Sequence, residues 1–537
     1  MTALKDDATL TDNTSPESVR PTWVTDEVVD RLTTRVFRGP DNGSEPLHPV
    51  APYDGRVTAE IPTSTAEDVA RAVETARAGG AAWRARSYAD RAAVVLRFHD
   101  LFVERQDEVI DLVQWEMGKA RFSAWQEILQ VANIARHYAR VGGKYLAPTS
   151  VRGAVPGLTQ VKEMRVPKGV VGVISPWNYP FYLGVGDVIP ALLAGNAVVS
   201  KADSQTALTL LHARELMAEA GLPADAWQVV AGRGSVVGTA LIDAVDYICL
   251  TGSTSTGRTV GEQAGRRLIG ASLELGGTNP LIVRHDAALQ KAAEGCVAAA
   301  FANTGQMCIH IERVLVAKTV YDEFRSALVA ATQALSLGQT FDYTADVGSL
   351  ASADQLATVD RHVEQARAAG ASVLMGGRAR PDLGPLVYEP TVLEGVTPEM
   401  DVCGEETFGP VLSLYPTDSD HEAVQLANRG SYGLSASIWS RDVGTARRLA
   451  GQVRAGSVNI NDGAAAAAGS VEAPMGGMGD SGLGRRHGAE GIRRYTEAQT
   501  VAVQRLMPLG PPPALGVDRF VAFTNAQLRL LRRMRVR

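Results

Sequence analysis

Between residues 170 and 275 short aliphatic runs alternate with segments long enough for a helix, and no other feature limits the fold of this chain so strongly. Val170-Val-Gly-Val-Ile174, Ala197-Val-Val-Ser-Lys201, Gln228-Val-Val230, Tyr247-Ile-Cys-Leu250 and Ser272-Leu-Glu-Leu275 read as strands, and Leu208, Leu211, Leu216 and Met217 fall on one helix between them. This spacing predicts βαβ units and a parallel sheet. Ligands of such sheets bind beyond the carboxyl ends of the strands, so the loops after the first, second and fourth runs are the informative ones. A second series begins near Asn279, with strand-like stretches at 281–283, 314–316, 372–374, 411–414 and 457–460 and helices at 320–335, 353–368 and 420–428. It predicts a second α/β domain, and Cys308 lies in it.

The flanks differ in texture. Residues 1–20 are polar and are expected to be a disordered tail. Ser64-Thr-Ala-Glu67 has the form of a capping box, ahead of Val69, Val73 and Ala76 on one helical face. One further helix is expected through Val94, Phe98, Leu101, Val109 and Leu112, with Gly118 as its C-cap. Residues 158–165 and 499–503 alternate like exposed strands, whose open edges would pair and reach a neighbouring subunit. Pro511-Pro-Pro513 marks a linker. Beyond it, residues 519–537 hold six arginines among Phe520, Phe523, Leu528, Leu530, Leu531 and Met534. A helix docked on the protein's own surface is the first reading, and contact with a membrane surface the second.

Composition removes several classes of function. A chain of 537 residues suggests two to four lobes. A net charge of -6 argues against nucleic acid as a partner. Four cysteines, at 249, 296, 308 and 403, form no CxxC pair and the nine histidines no HxxxH, so neither a disulfide framework nor a zinc site is expected. The cysteine usage makes a reducing cytoplasm the expectation, and no signal peptide or apolar run of about 20 residues is visible.

Five places carry candidate chemistry. Thr251-Gly-Ser-Thr-Ser-Thr-Gly257 leads into a helix and suits a pyrophosphate, or is a plain turn. Lys201, at the end of the second strand, reaches a ribose or phosphate, or is a solvated loop lysine. Glu274 stands between leucines in a buried-type strand. Burial there raises its pKa, as a general base near neutrality requires. Asn178, in the loop after the first strand, offers an amide to an oxyanion, or shapes a turn. Cys308, in Gly305-Gln-Met-Cys308, is a nucleophile or a small buried hydrophobe.

Taken together, Ser175-Pro-Trp-Asn178, Lys201-Ala-Asp-Ser204, Thr251-Gly-Ser253, Glu274-Leu-Gly-Gly277, Gly305-Gln-Met-Cys308, Glu405-Glu-Thr-Phe-Gly-Pro410 and Pro474-Met-Gly-Gly resemble the aldehyde dehydrogenase superfamily, in its order and spacing over roughly residues 50–505. The resemblance implies an α/β fold with a Rossmann-type cofactor domain (21–148 and 167–274) and an α/β catalytic domain (275–480). It also implies a β-flap oligomerisation arm (149–166 and 481–509), followed by a basic tail (510–537), and a homodimer or homotetramer. It makes Cys308 the nucleophile, Asn178 an oxyanion donor and Glu274 the base that activates water. Trp177, Asn178, Lys201, Ala202, Asp203, Ser204, Gly252, Ser253 and Leu275 would surround the cofactor. Glu406 would hold the nicotinamide ribose, with Phe408 beside it.

Departures from the family pattern narrow the expectation. Ser204 replaces the usual glutamate, removing a charge that would repel a 2′-phosphate, so NADP is expected to be preferred, with NAD possible. Ala202 and Gly479 replace a proline and a lysine outside the chemistry. The stretch 474–488 looks most like the actinobacterial NADP-dependent succinate-semialdehyde dehydrogenases, yet two arginines expected to bind that substrate's carboxylate are Gly186 and Ala302 here. Arg313 and His310 are the remaining cations to consider. Phe181 and Tyr182 would suit an aliphatic or aromatic aldehyde instead. The competing readings are a CoA-acylating dehydrogenase, against which Glu274 speaks, and a catalytically silent binding protein on the same fold.

Overall fold

The computed structural model describes residues 19–40, 42–153, 159–504, 510–512 and 514–534. The expected tail at 1–20 lies almost wholly outside the described residues, as do Leu158, Arg535 and Arg537. In chain order the strands are β1 (Thr149–Arg152) and β2 (Thr159–Pro167). Then come β3 (Val170–Ile174), β4 (Ala197–Lys201), β5 (Trp227–Val230), β6 (Tyr247–Thr251) and β7 (Gly270–Glu274). The second series is β8 (Asn279–Val283), β9 (Ile311–Ala317), β10 (Ser372–Met375), β11 (Thr391–Glu394), β12 (Val411–Thr417), β13 (Ser435–Trp439) and β14 (Ser457–Ile460). The last two are β15 (Gly482–Leu483) and β16 (Thr496–Gln504).

The first sheet has the order β15-β7-β6-β3-β4-β5, parallel throughout except for β15. Its side chains alternate between two cores, as a pleated strand requires. Val171, Val173, Val198 and Val229 meet the helices Tyr88–Glu104, Arg121–Leu146 and Ala207–Glu219. Val170, Val199, Val230 and Ile248 meet Ala66–Ala85 and Thr254–Arg266. The strand order reverses between β3 and β6, which opens a crevice at their carboxyl ends.

The second sheet runs β10-β11-β12-β9-β8-β13-β14, with β10 alone antiparallel. Only residues 275–278 separate the end of β7 from the start of β8. The carboxyl end of the first sheet therefore faces the amino end of the second, and a site can form between them. In the third sheet β2 pairs with β1 on one side and β16 on the other, Thr159 opposite Gln504, so the two exposed strands read from the sequence do pair.

Four expectations need correction. The capping box is Thr65 with Asp68, one residue later than Ser64 with Glu67, because the Ser64 hydroxyl is already donated to the Phe37 carbonyl. The helix through Val94 and Leu112 is two helices, Tyr88–Glu104 and Gln106–Met117, broken at Arg105, though Gly118 does cap the second at φ 80°. Strands β11 and β13 were not visible in the sequence. Ser435-Ala-Ser-Ile-Trp439 is small and half polar, yet it lies fully buried between β8 and β14. Finally, helix Val517–Arg533 does not dock on the body, since none of its residues is buried.

Candidate active site

Cys308 is placed by a turn that few sequences tolerate. After helix Leu289–Phe301 the backbone takes left-handed angles at Asn303 (φ 52°), Thr304 (φ 57°) and Gly305 (φ 71°). Asparagine and glycine adopt these readily, whereas a β-branched threonine does so only under constraint. A Cβ at 305 would collide with the Gly409 carbonyl, so glycine lets the cysteine turn lie directly on the 405–410 loop. Gln306 is spent on structure. Its amide donates to the Asn303 and Ser349 carbonyls (3.2 and 3.3 Å) and accepts from the Ala351 N–H (2.9 Å). The Cys308 carbonyl accepts from Asn279 Nδ2 at 2.8 Å, which ties the turn to the start of β8. The thiol is half-buried. Burial, followed by the carboxylates of Glu406 and Glu274, pushes its pKa up to about 12, against the pull of Arg486.

Asn178 reaches the same turn from the end of β3. One amide N–H is donated to the Gln306 carbonyl at 3.1 Å, which leaves the other to donate elsewhere. Its own carbonyl accepts from Asn303 Nδ2 (3.1 Å) and Lys119 Nζ (2.6 Å). Lys119 is fully buried, pairs with Glu127 at 2.7 Å and lies 3.9 Å from the centroid of the Tyr179 ring. The second Glu127 oxygen accepts the N–H groups of Phe181 and Tyr182, both at 2.9 Å. A buried ion pair thus holds the loop on both sides of Asn178.

Glu274 ends β7 and is 6% exposed. Its Oε1 atom has no hydrogen-bond partner among the described residues. Burial pushes its pKa up to about 7, although Arg486 and Arg494 draw it down. Arg486 is held by Asp187 (2.7 Å) and by Thr251 Oγ1 (2.6 Å), the residue in register with Glu274 on the neighbouring strand. Arg494 also pairs with Asp187.

The cofactor candidates ring the crevice. The Ser253 hydroxyl caps helix Thr254–Arg266, and the exposed hydroxyls of Ser255 and Thr256 lie 3.0 and 2.9 Å from it. Gly257 lets that helix approach Leu275, and the Gly252 N–H is donated to the Glu274 carbonyl at 3.1 Å. Lys201 is buried at the end of β4 and Ala202 packs into the core, while Asp203 accepts from the Gln205 N–H at 2.8 Å and Ser204 stays half-exposed. Trp177 and Phe408 meet edge to face at 5.5 Å. Glu406 accepts from the Gly277 N–H at 2.9 Å, and burial and Glu312 push its pKa up to about 8. Basic and hydroxyl groups at strand ends and at a helix N-terminus fit the phosphates of a dinucleotide.

Residues 39–501 match the aldehyde dehydrogenase family. The chain belongs to that family. It is 52% identical over 475 residues, 88% of this chain and 91% of the other, to a Mycolicibacterium smegmatis protein provisionally named succinate-semialdehyde dehydrogenase, NADP(+). It is 37% identical to a vanillin dehydrogenase of Corynebacterium glutamicum, over 85% of this chain and 94% of that one. Among solved structures an E. coli NADP dependent enzyme superposes with a TM-score of 0.83 at 33% identity, covering 86% and 96% of the two chains.

Some sequence candidates do not face this aldehyde dehydrogenase site. Phe181 is fully buried against Phe98 and Phe102. Arg313 gives its guanidinium to the carbonyls of Thr278, Leu426 and Ala427. Burial disfavours charge on His310, but Glu312 at 3.0 Å prevails and raises its pKa. Neither cation is free for a substrate carboxylate. Conversely, Lys119, Glu127, Asp187, Asn303, Glu312 and Arg486 escaped the sequence reading. Glu312 carried a usable signal, a carboxylate inside an apolar strand like Glu274. It accepts the N–H groups of Thr407 and Phe408 (2.8 and 3.2 Å) and so fixes the Glu406 loop.

Proposed function

We propose that this aldehyde dehydrogenase oxidises succinate semialdehyde to succinate, preferring NADP, in a reducing cytoplasm. Its three sheets then serve as a cofactor domain (21–148 and 167–274), a catalytic domain (275–480) and an arm (149–166 and 481–509) that builds a homodimer or homotetramer. The observation that carries the chemistry is the meeting of Cys308, Asn178 and Glu274 where the two large sheets face each other. The identity to the M. smegmatis protein supports the substrate, and the uncharged Ser204 beside Lys201 supports NADP.

The thiol of Cys308 gives its proton to solvent water, and the sulfur bonds to the aldehyde carbon. The carbonyl oxygen becomes an alkoxide that accepts from the free amide N–H of Asn178 and the backbone N–H of Cys308. Trp177, Lys201, Ser204, Ser253, Glu406 and Phe408 would hold the dinucleotide, which supplies the hydride acceptor that turns the thiohemiacetal into a thioester. Glu274 then takes a proton from water as the oxygen attacks the thioester carbon. The C–S bond breaks, and the acid leaves with Cys308 restored. A carboxylate tuned to about 7 suits water and speaks against CoA as the acyl acceptor.

A neutral aromatic aldehyde is the second reading. It is favoured by Gly186 and Ala302, by the engaged Arg313 and by the vanillin dehydrogenase relative. An aldehyde panel run with NADP and with NAD decides between them. The first reading predicts the highest kcat/KM for succinate semialdehyde with NADP. About tenfold better use of benzaldehyde, a gap of roughly 1.4 kcal/mol in transition-state binding, would replace it with the second.

A further inference from the structure

Helix Val517–Arg533 lies beyond the matched family region and has no buried residue. At about 100° per residue its apolar side chains gather on one half of the circumference. Phe520, Phe523, Leu528, Leu530 and Leu531 lie on this half, with the uncharged Thr524 and Gln527 among them, and Met534 continues it. Phe523 is 65% exposed and Leu528 59%. Arg529 and Arg533 point the opposite way, while Arg519 and Arg532 stand at the two borders between the halves. Asp518 is the one acidic residue of the helix.

A helix docked on a protein needs an apolar stripe of little more than about 100°. Here the apolar sector is half the helix and arginines line both edges. That division matches a flat boundary between an acyl layer and phosphate headgroups, where long cationic side chains extend to the phosphates. No helix among the described residues is long and apolar enough to cross a membrane. We propose that Val517–Arg533 is an interfacial anchor lying in the plane of an anionic lipid bilayer, its apolar half in the acyl boundary and its arginines on the phosphates.

Flotation of the full-length enzyme with phosphatidylcholine vesicles, with and without phosphatidylglycerol, tests this. The protein should float with the anionic vesicles, and less so as salt is raised. Replacing Arg529, Arg532 and Arg533 by glutamine should weaken partition about a hundredfold, at about fivefold per arginine. Leu528→Glu with Leu531→Glu should abolish it, and both variants should keep their rate of aldehyde oxidation. Absence of flotation with anionic vesicles, or flotation unaltered in both variants, overturns the proposal. So does a fall in sedimenting mass of the leucine variant without any vesicle binding, which would make the face a contact between copies.

Discussion

At the scale of single residues, burial acts on the proposed nucleophile and the proposed base alike, raising the pKa of both Cys308 and Glu274. The Cys308 thiol is pushed up to about 12 by burial and two carboxylates, so at neutral pH it rests protonated. Alkylation of the free enzyme by iodoacetamide should therefore be slow at neutrality and accelerate with pH without levelling off there. A plateau near neutral pH would mean a thiolate already formed. Cys308, Glu274 and Asn178 could be singled out in the sequence through the motifs that hold them, not by their residue types alone, and the roles given to them are those proposed above. Their supports could not be singled out. Lys119 and Glu127 meet Asn178 only through folding, 59 residues separating Lys119 from the carbonyl it holds.

At the scale of elements, the loop after β3 depends on that buried ion pair. Removing one partner of such a pair leaves an uncompensated charge and costs about 3–5 kcal/mol. Lys119→Met should lower the denaturation midpoint accordingly and reduce kcat, since the Asn178 carbonyl loses its ammonium donor. Unfolding and turnover unchanged from the parent enzyme would show that the loop is held otherwise. The five parallel strands of the first sheet, β3 to β7, could be read because aliphatic residues fill both faces. Strand β13 could not, because Ser435 and Ser437 are buried by partners distant in sequence: the Ser435 N–H is donated to Asn279 Oδ1 and the Ser437 hydroxyl to the Asp462 carbonyl.

At the scale of the whole molecule, β16 is an edge of the three-stranded sheet that no strand pairs among the described residues, with Val501 and Val503 at 44% and 47% exposure. An arm that joins subunits buries such residues. Val501→Lys with Val503→Lys should yield a smaller species by sedimentation, and an unchanged mass would locate the subunit contact elsewhere. The alternation of strands and helices announced two α/β domains. That residues 275–278 would set the carboxyl end of one sheet against the amino end of the other was not legible without the strand orders. This apposition is what would bring Glu274 to a thioester on Cys308 in the proposed reaction. The most direct measurement is mass spectrometry of the Glu274→Gln enzyme quenched after mixing with succinate semialdehyde and NADP. The expected result is a burst of NADPH and an acyl adduct that accumulates on Cys308. A burst with no adduct there, or turnover at the parent rate, would contradict it.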